Sequence, residues 1–135
     1  MRPLLALLLL VGFAPAAPVP KAIKKKDDAS LLVGRWKPSD GTKQWYEFQD
    51  DGTLKTWDEP NEQSAVPYKW TIDVTAIPKR MTWANGKTGK VEFEAVYELD
   101  GDDLRMNYAS APAVPKAVGK GNGAFNGQVR DTSGK

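Results

Sequence analysis

Three glutamates lie on one side of the most regular strand pattern in the chain, and their spacing is the one best suited to acid–base chemistry. Glu92 and Glu94 are two residues apart, and Glu98 follows on the same side. Carboxylates at positions i and i+2 of a strand stand about 6.5–7 Å apart, a separation compatible with the paired acids of glycosidases. The opposite side of this strand is apolar, so the glutamates face solvent. The pattern therefore favours a solvated strand face that discourages edge pairing over a catalytic pair.

The chain of 135 residues has no His and no Cys. Ser-His-Asp and Cys-His catalysis, disulfides, and the zinc and iron–sulfur sites built from these ligands are thereby excluded. The acidic stretches at 50–52 and 100–103 lack the spacing of a calcium-binding EF-hand loop and are typical of turns between strands. We expect a protein without enzymatic activity, resident metal or cofactor.

Bulky aromatic and sulfur-containing side chains recur on the predicted inner side of the strands. Such residues line pockets for apolar or aromatic small molecules, and they also fill the interior of a small barrel by themselves. The sequence leaves both interpretations open. The candidates for lining a ligand site are Tyr46, Trp70, Met81, Trp83, Tyr97, Met106 and Tyr108.

Trp45 and Trp57 fall on the outward side of the predicted strands or at strand ends. Exposed tryptophan is typical of surfaces that contact a protein or stack on a sugar ring. These two residues therefore support an alternative function, in which a barrel with a filled core contacts a protein or polysaccharide partner at the cell envelope.

The basic charge of the chain is concentrated at its ends. Residues 30–109 contain 10 basic and 14 acidic side chains, a net charge of −4, whereas residues 17–29 and 110–135 are both net basic. A nucleic-acid-binding domain needs basic residues clustered on one face of the fold, so no nucleic-acid partner is predicted. The lysine run at 24–26 is more typical of a solvated linker than of a site for an anionic surface.

Apolar and polar residues alternate through most of the region from 45 to 108. Turn sequences such as Asn85-Gly86 and Asp100-Gly101 separate the alternating runs. A period of two with one apolar side indicates antiparallel sheet with one buried face. Six or seven strands in about 80 residues favour a small barrel or sandwich. The longest run has its apolar side chains at Val91, Phe93, Ala95, Tyr97 and Leu99.

Residues 1–16 have the three parts of a secretory signal peptide: a basic start, an apolar run over 4–13, and a small-residue cleavage site. The apolar run is too short to be a transmembrane segment, which needs about 20 apolar residues. We expect export to the periplasm or the extracellular space. The predicted order is then a basic linker at 17–29, a barrel domain at 30–109, and either a closing strand or a disordered tail at 110–135, where prolines and glycines interrupt the pattern.

Three short elements occur in order along the predicted domain. Residues 32–37 read Leu-Val-Gly-Arg-Trp-Lys, residues 77–81 read Ile-Pro-Lys-Arg-Met, and residues 96–104 read Val-Tyr-Glu-Leu-Asp-Gly-Asp-Asp-Leu. Together with the leader, they resemble the Gly-x-Trp opening, the Pro-Lys element and the Tyr-x-Leu-Asp-Gly-Asp-x-Leu hairpin of a family of small secreted lipocalin-like domains. That family is best represented in planctomycete bacteria and is functionally uncharacterised.

The resemblance implies a barrel closed at one end by Gly34, Trp36 and a late arginine, for which Arg130 is the candidate. In lipocalins the tryptophan packs under such an arginine, a cation–π contact worth about 0.5–2 kcal/mol. The expected fold is all-β, a small antiparallel lipocalin-like barrel of about seven or eight strands. The expected function is an exported binding module for an unknown ligand, with a small apolar or aromatic molecule as the candidate. The sequence does not specify an oligomeric state.

Overall fold

Eight strands follow one another along the chain, and each pairs antiparallel with the strand before it. They are seen in a computed structural model, which describes residues 26–39, 41–119 and 124–133. The predicted leader at 1–16 and most of the predicted linker lie outside the described residues. The elements are α1 (Asp28–Leu32), β1 (Gly34–Pro38), β2 (Gln44–Phe48), β3 (Thr53–Asp58), a 3-10 turn (Glu62–Ser64), β4 (Val66–Asp73), β5 (Lys79–Asn85), β6 (Val91–Asp100), β7 (Asp103–Ser110) and β8 (Ala124–Arg130).

The last strand closes the sheet into a barrel. β8 pairs with β7 on one side and with β1 on the other, where Trp36 lies opposite Arg130. Closure leaves no unpaired sheet edge. The predicted all-β antiparallel barrel is therefore confirmed, and the sandwich is excluded. Within 110–135, where the sequence left a strand or a tail, residues 124–130 form this closing strand.

Alternation along the strands places one set of side chains inside the barrel. On β6 and β7, Tyr97 and Met106 are directly opposite each other and fully buried, whereas Glu98 is exposed. The outer face is also covered locally. The amide nitrogen of Asn107 donates to the carbonyl of Ala117 at 2.9 Å, which holds the connection after β7 against this face of the barrel.

The β5–β6 connection lies where the Asn-Gly pair predicts a hairpin, but it is longer than a two-residue turn. It spans residues 86–90, and the side chain of Asn85 accepts hydrogen bonds from the backbone of Lys87 and Thr88 at 2.9 and 3.1 Å. The glycine with positive φ is Gly89, at +71°. The side chain of Asn85 thus orders the loop through these two hydrogen bonds, as asparagine side chains commonly do in turns.

A short helix, which the sequence did not predict, closes one end of the barrel. Asp27 caps α1 by accepting a hydrogen bond from the backbone of Ser30 at 2.8 Å, and Leu32 is completely buried in the core. Five residues are too few to show a helical stripe. We call the end of the barrel covered by α1 the helix end, and the opposite end the distal end.

Candidate ligand site at the distal end of the barrel

The seven predicted ligand-lining residues are not brought together in one site. Trp70 and Tyr97 lie at the helix end, where the indole nitrogen of Trp70 donates to the carbonyl of Gln49 at 3.3 Å. Met81 and Met106 lie in the core with no accessible surface. Neither methionine therefore presents surface to a ligand. The remaining three candidates, which lie toward the distal end, are Tyr46, Trp83 and Tyr108.

The helix end is closed by Trp36 and Arg130, the two residues that the resemblance places together. The guanidinium carbon of Arg130 lies 4.4 Å from the ring centre of Trp36. The same guanidinium donates to the carbonyls of Leu31 and Val33, while the indole nitrogen of Trp36 donates to the carbonyl of Leu32 at 2.8 Å. These bonds satisfy carbonyls at the end of α1 that have no partner within the helix.

Gly34 makes this closure possible for two reasons. Its φ is +131°, a conformation that residues with a side chain rarely adopt. A Cβ atom at this position would also stand 2.9 Å from a terminal guanidinium nitrogen of Arg130. The glycine therefore lets the arginine cross the start of β1.

A second set of contacts ties α1 to the barrel wall. One carboxylate oxygen of Asp28 accepts from the hydroxyl of Tyr97 at 3.0 Å and from the ammonium of Lys79 at 2.7 Å. Burial raises the pKa of the Tyr97 phenol well above its usual value, and the bond to Asp28 adds to the shift. Tyr97 is therefore a neutral donor that holds the helix, so its role here is structural.

Five aromatic rings meet at the distal end, and we call them the distal aromatic cluster. Trp83 is at the centre, with ring centres of the other four at 5.1–6.1 Å. Tyr46 and Trp83 are buried, whereas three of the rings are half-buried and form a rim that reaches solvent. Tilted and edge-to-face contacts at these separations favour aromatic packing. The cluster comprises Tyr46, Tyr68, Trp83, Phe93 and Tyr108.

Two glutamines connect this cluster to the barrel wall. The side-chain oxygen of Gln44 accepts from the hydroxyls of Tyr46 and Tyr108 at 2.9 and 3.0 Å. The amide nitrogen of Gln128 donates to the backbone carbonyl of Gln44 at 3.2 Å. Burial raises the pKa of the Tyr68 phenol, with the charge of Glu92 contributing further, so Tyr68 is uncharged at neutral pH.

Two buried polar atoms in this region have no hydrogen-bond partner, the indole nitrogen of Trp83 and the side-chain oxygen of Gln128. The two side chains are only 2% and 1% exposed. A buried polar group without a partner costs about 1–3 kcal/mol of stability. Most such groups in native proteins are paired, and an exception calls for a physical explanation.

Sequence reasoning did not select four of the residues that form this region. Alternation along the strands places Tyr68 and Phe93 on the inner side, but it does not identify them as part of a ligand site. Gln44 and Gln128 occupy inward positions of β2 and β8. A polar residue at an inward position is the signal that identifies the two glutamines, but it becomes readable only when the strand register is known.

The outward tryptophans form a separate group on the opposite surface of the wall. Trp45 and Trp57 are opposite each other on β2 and β3, with their rings stacked at 5.9 Å. The expectation that both are exposed is wrong for Trp57, which is buried because Trp45 and Arg35 cover its ring, whereas Trp45 is half-buried. The guanidinium of Arg35 lies 5.2 Å from the Trp57 ring centre and pairs with Glu47 and Glu62 at 3.2 and 2.6 Å. A cavity of about 170 Å³ lies beside this pair.

Two of the three glutamates considered for acid–base chemistry take part in surface contacts. Glu98 forms an exposed ion pair with Arg105, and Glu92 accepts from the side-chain amide of Asn85 at 2.9 Å. Within residues 26–39, 41–119 and 124–133, no group of three potential metal ligands is found. No helix among the described residues has the length and apolar character needed to cross a membrane.

No protein-family model, no curated protein and no solved structure matches the chain. The resemblance to small secreted lipocalin-like domains therefore stays a prediction, and the candidate site is defined by its own geometry.

Proposed function

We propose that this protein is an exported, non-enzymatic binding module that takes a small ring-bearing ligand at the distal end of its barrel. The observation that carries the proposal is the half-buried rim of Tyr68, Phe93 and Tyr108 above the buried ring of Trp83. Aromatic side chains with a few convergent polar groups are typical of small-molecule sites. Half-buried rings also leave apolar area that a ligand can cover.

Complete burial of the core limits the size of the ligand. Leu54, Met81, Tyr97 and Met106 have no accessible surface, so a ligand does not extend deep into the barrel. A ligand that buries about 200–300 Å² of apolar area at about 25 cal/mol per Å² gains about 5–7 kcal/mol before ordering costs. Before ordering costs, this corresponds to a dissociation constant of about 7–200 μM, far weaker than nanomolar.

Native mass spectrometry of protein purified from its producing cells tests the proposal. The informative variant is Phe93→Ala, because Phe93 touches Tyr68, Trp83 and Tyr108 and makes only ring contacts there. The control is Trp45→Ala, which removes a ring from the outer face. Wild type and control are expected to carry the same discrete mass above the polypeptide, and Phe93→Ala is expected to lose most of it.

Two outcomes contradict the proposal. A wild-type spectrum at the bare polypeptide mass leaves the distal site without a ligand. An added mass that persists in Phe93→Ala and disappears in Trp45→Ala places the ligand on the outer face instead.

One observation favours a second candidate function, a barrel that contacts a protein or polysaccharide partner at the cell envelope. Trp45 is half-buried and stacks on Trp57, which is buried under the Arg35 guanidinium, so the Trp45 ring and Arg35 are the aromatic and charged groups that a partner can contact. A partner captured from envelope extract by wild type and by Phe93→Ala, but not by Trp45→Ala, supports this function. Capture that is unaffected by Trp45→Ala contradicts it.

A further inference from the structure

The two unpaired polar atoms inside the barrel have opposite hydrogen-bonding character. The indole nitrogen of Trp83 can only donate, and the side-chain oxygen of Gln128 can only accept. The orientation of the Gln128 amide follows from its contact with the backbone carbonyl of Gln44, which requires the nitrogen on that side. The oxygen is therefore left facing away from that carbonyl.

Tyr108 is linked to both residues that carry these atoms, to Trp83 by a ring contact and to Gln128 through Gln44. Its ring centre is 5.1 Å from that of Trp83, and its hydroxyl donates to the side chain of Gln44. The backbone carbonyl of the same Gln44 holds Gln128. A half-buried tyrosine at the rim is thus directly connected to the buried donor and, through one glutamine, to the buried acceptor.

Among the described residues, the side chains that contact Trp83 and Gln44 around these atoms carry no charge; the carboxylate of Asp58, opposite Gln44 at the end of β3, is exposed. The described inner wall here includes two glutamines, three tyrosines, a tryptophan and a phenylalanine. A charged group placed among them would lose its hydration without gaining a counter-ion, which is strongly unfavourable. The wall members are Gln44, Tyr46, Tyr68, Trp83, Phe93, Tyr108 and Gln128.

We infer that the ligand of the distal site is an uncharged aromatic compound with both a hydrogen-bond acceptor, for the Trp83 indole, and a hydrogen-bond donor, for the Gln128 oxygen. Aromatic carboxamides and lactams are the simplest members of this class. The inference rests on the proposed function and specifies its ligand. Since both atoms are closed to solvent without ligand, the ring of Tyr108 must turn aside for the ligand to reach them.

Three probes of nearly the same shape separate the contributions. Benzamide has the ring, the acceptor and the donor; benzoate replaces the amide with a negative charge; α-methylstyrene keeps the shape without polar atoms. Binding is followed by the five tryptophan indole signals in a ¹⁵N-correlated NMR spectrum. We expect benzamide to bind about tenfold more tightly than either analogue, since each of its two hydrogen bonds contributes about threefold.

The expected spectral result is a shift of the Trp83 indole signal with benzamide, while the signals of Trp45 and Trp57 stay in place. Gln128→Met keeps the side-chain volume but removes the acceptor, and it is expected to reduce the preference for benzamide over α-methylstyrene to about threefold, the share of the Trp83 bond. The matched control is Gln49→Met, the same change in the β2–β3 turn at the helix end, which is expected to keep the preference.

The outcomes separate this inference from the proposed function. Equal binding of benzamide and α-methylstyrene overturns the inference but leaves an apolar ligand site at the distal end. Tighter binding of benzoate overturns the uncharged class. Failure of all three probes at millimolar concentration also overturns the inference, whereas the proposed function fails only if protein from its producing cells carries no added mass that depends on Phe93.

Discussion

Arg130 is predicted to contribute more to stability than any exposed ion pair, and Arg130→Met measures this contribution. Methionine keeps much of the apolar stem but removes the bonds to the carbonyls of Leu31 and Val33, each worth about 1–2 kcal/mol. It also removes the contact with Trp36 at 4.4 Å, worth about 0.5–2 kcal/mol. The ion pair with Asp102 adds about 0–1 kcal/mol, since that carboxylate is 74% exposed.

The sum predicts that Arg130→Met lowers the free energy of unfolding by about 2.5–7 kcal/mol. At about 4 °C per kcal/mol for a domain of this size, the melting temperature falls by about 10–28 °C. Urea unfolding followed by tryptophan fluorescence gives the free energy, and calorimetry gives the temperature. Arg105→Met is the matched control, because Arg105 and Glu98 are both more than half exposed, and it is expected to cost under about 1 kcal/mol. A loss below about 1 kcal/mol at Arg130, equal to that at Arg105, refutes the account of the helix end.

Two further predictions concern the helix end. Gly34→Ala is expected to lower the free energy of unfolding in urea by about 2–3 kcal/mol, because φ is +131° and the new methyl group meets Arg130. The control Gly101→Ala, where φ is +59° and the space around the Cβ position is open, is expected to cost about 1 kcal/mol. Equal losses would contradict the steric argument. The second prediction is a pH dependence. Burial raises the folded-state pKa of Tyr97, and the bond to Asp28 adds to this shift. The neutral phenol therefore stabilises the fold fully below the unfolded-state pKa of about 10, and this stabilisation is lost as the pH rises through the raised folded-state pKa. Free energies of unfolding between about pH 9 and 11.5 should therefore fall less steeply for Tyr97→Phe than for wild type, and identical slopes would contradict the assigned shift.

The alternating patterns predicted the sheet and its inner face because period two is a local property. Tyr97, Met106 and Trp83 are inside as the alternation requires. The height of an inward residue within the barrel depends on strand tilt and register, which pairing with neighbours determines. For this reason the seven ligand-lining candidates, all inward, are divided between the two ends and the middle of the barrel.

The features that the sequence did not predict depend on long-range contacts. Helix α1 is too short for a periodic signal and is held by Asp28, whose partners Lys79 and Tyr97 are more than 50 residues away along the chain. Gln44 and Gln128 become recognisable as a pair only when β1, β2 and β8 are adjacent. The outward position of Trp45 and Trp57 was predictable from alternation, but their stacking required the β2–β3 register.

The position of the ligand is the central claim, and a crystal structure of the protein purified from its producing cells tests it most directly. We predict density for a small molecule among Tyr68, Phe93 and Tyr108, with the Tyr108 ring turned aside and one ligand atom within hydrogen-bond distance of the Trp83 indole nitrogen. A structure in which these rings pack against one another as they do here, with bound density only beside Trp45 and Trp57, would contradict the account.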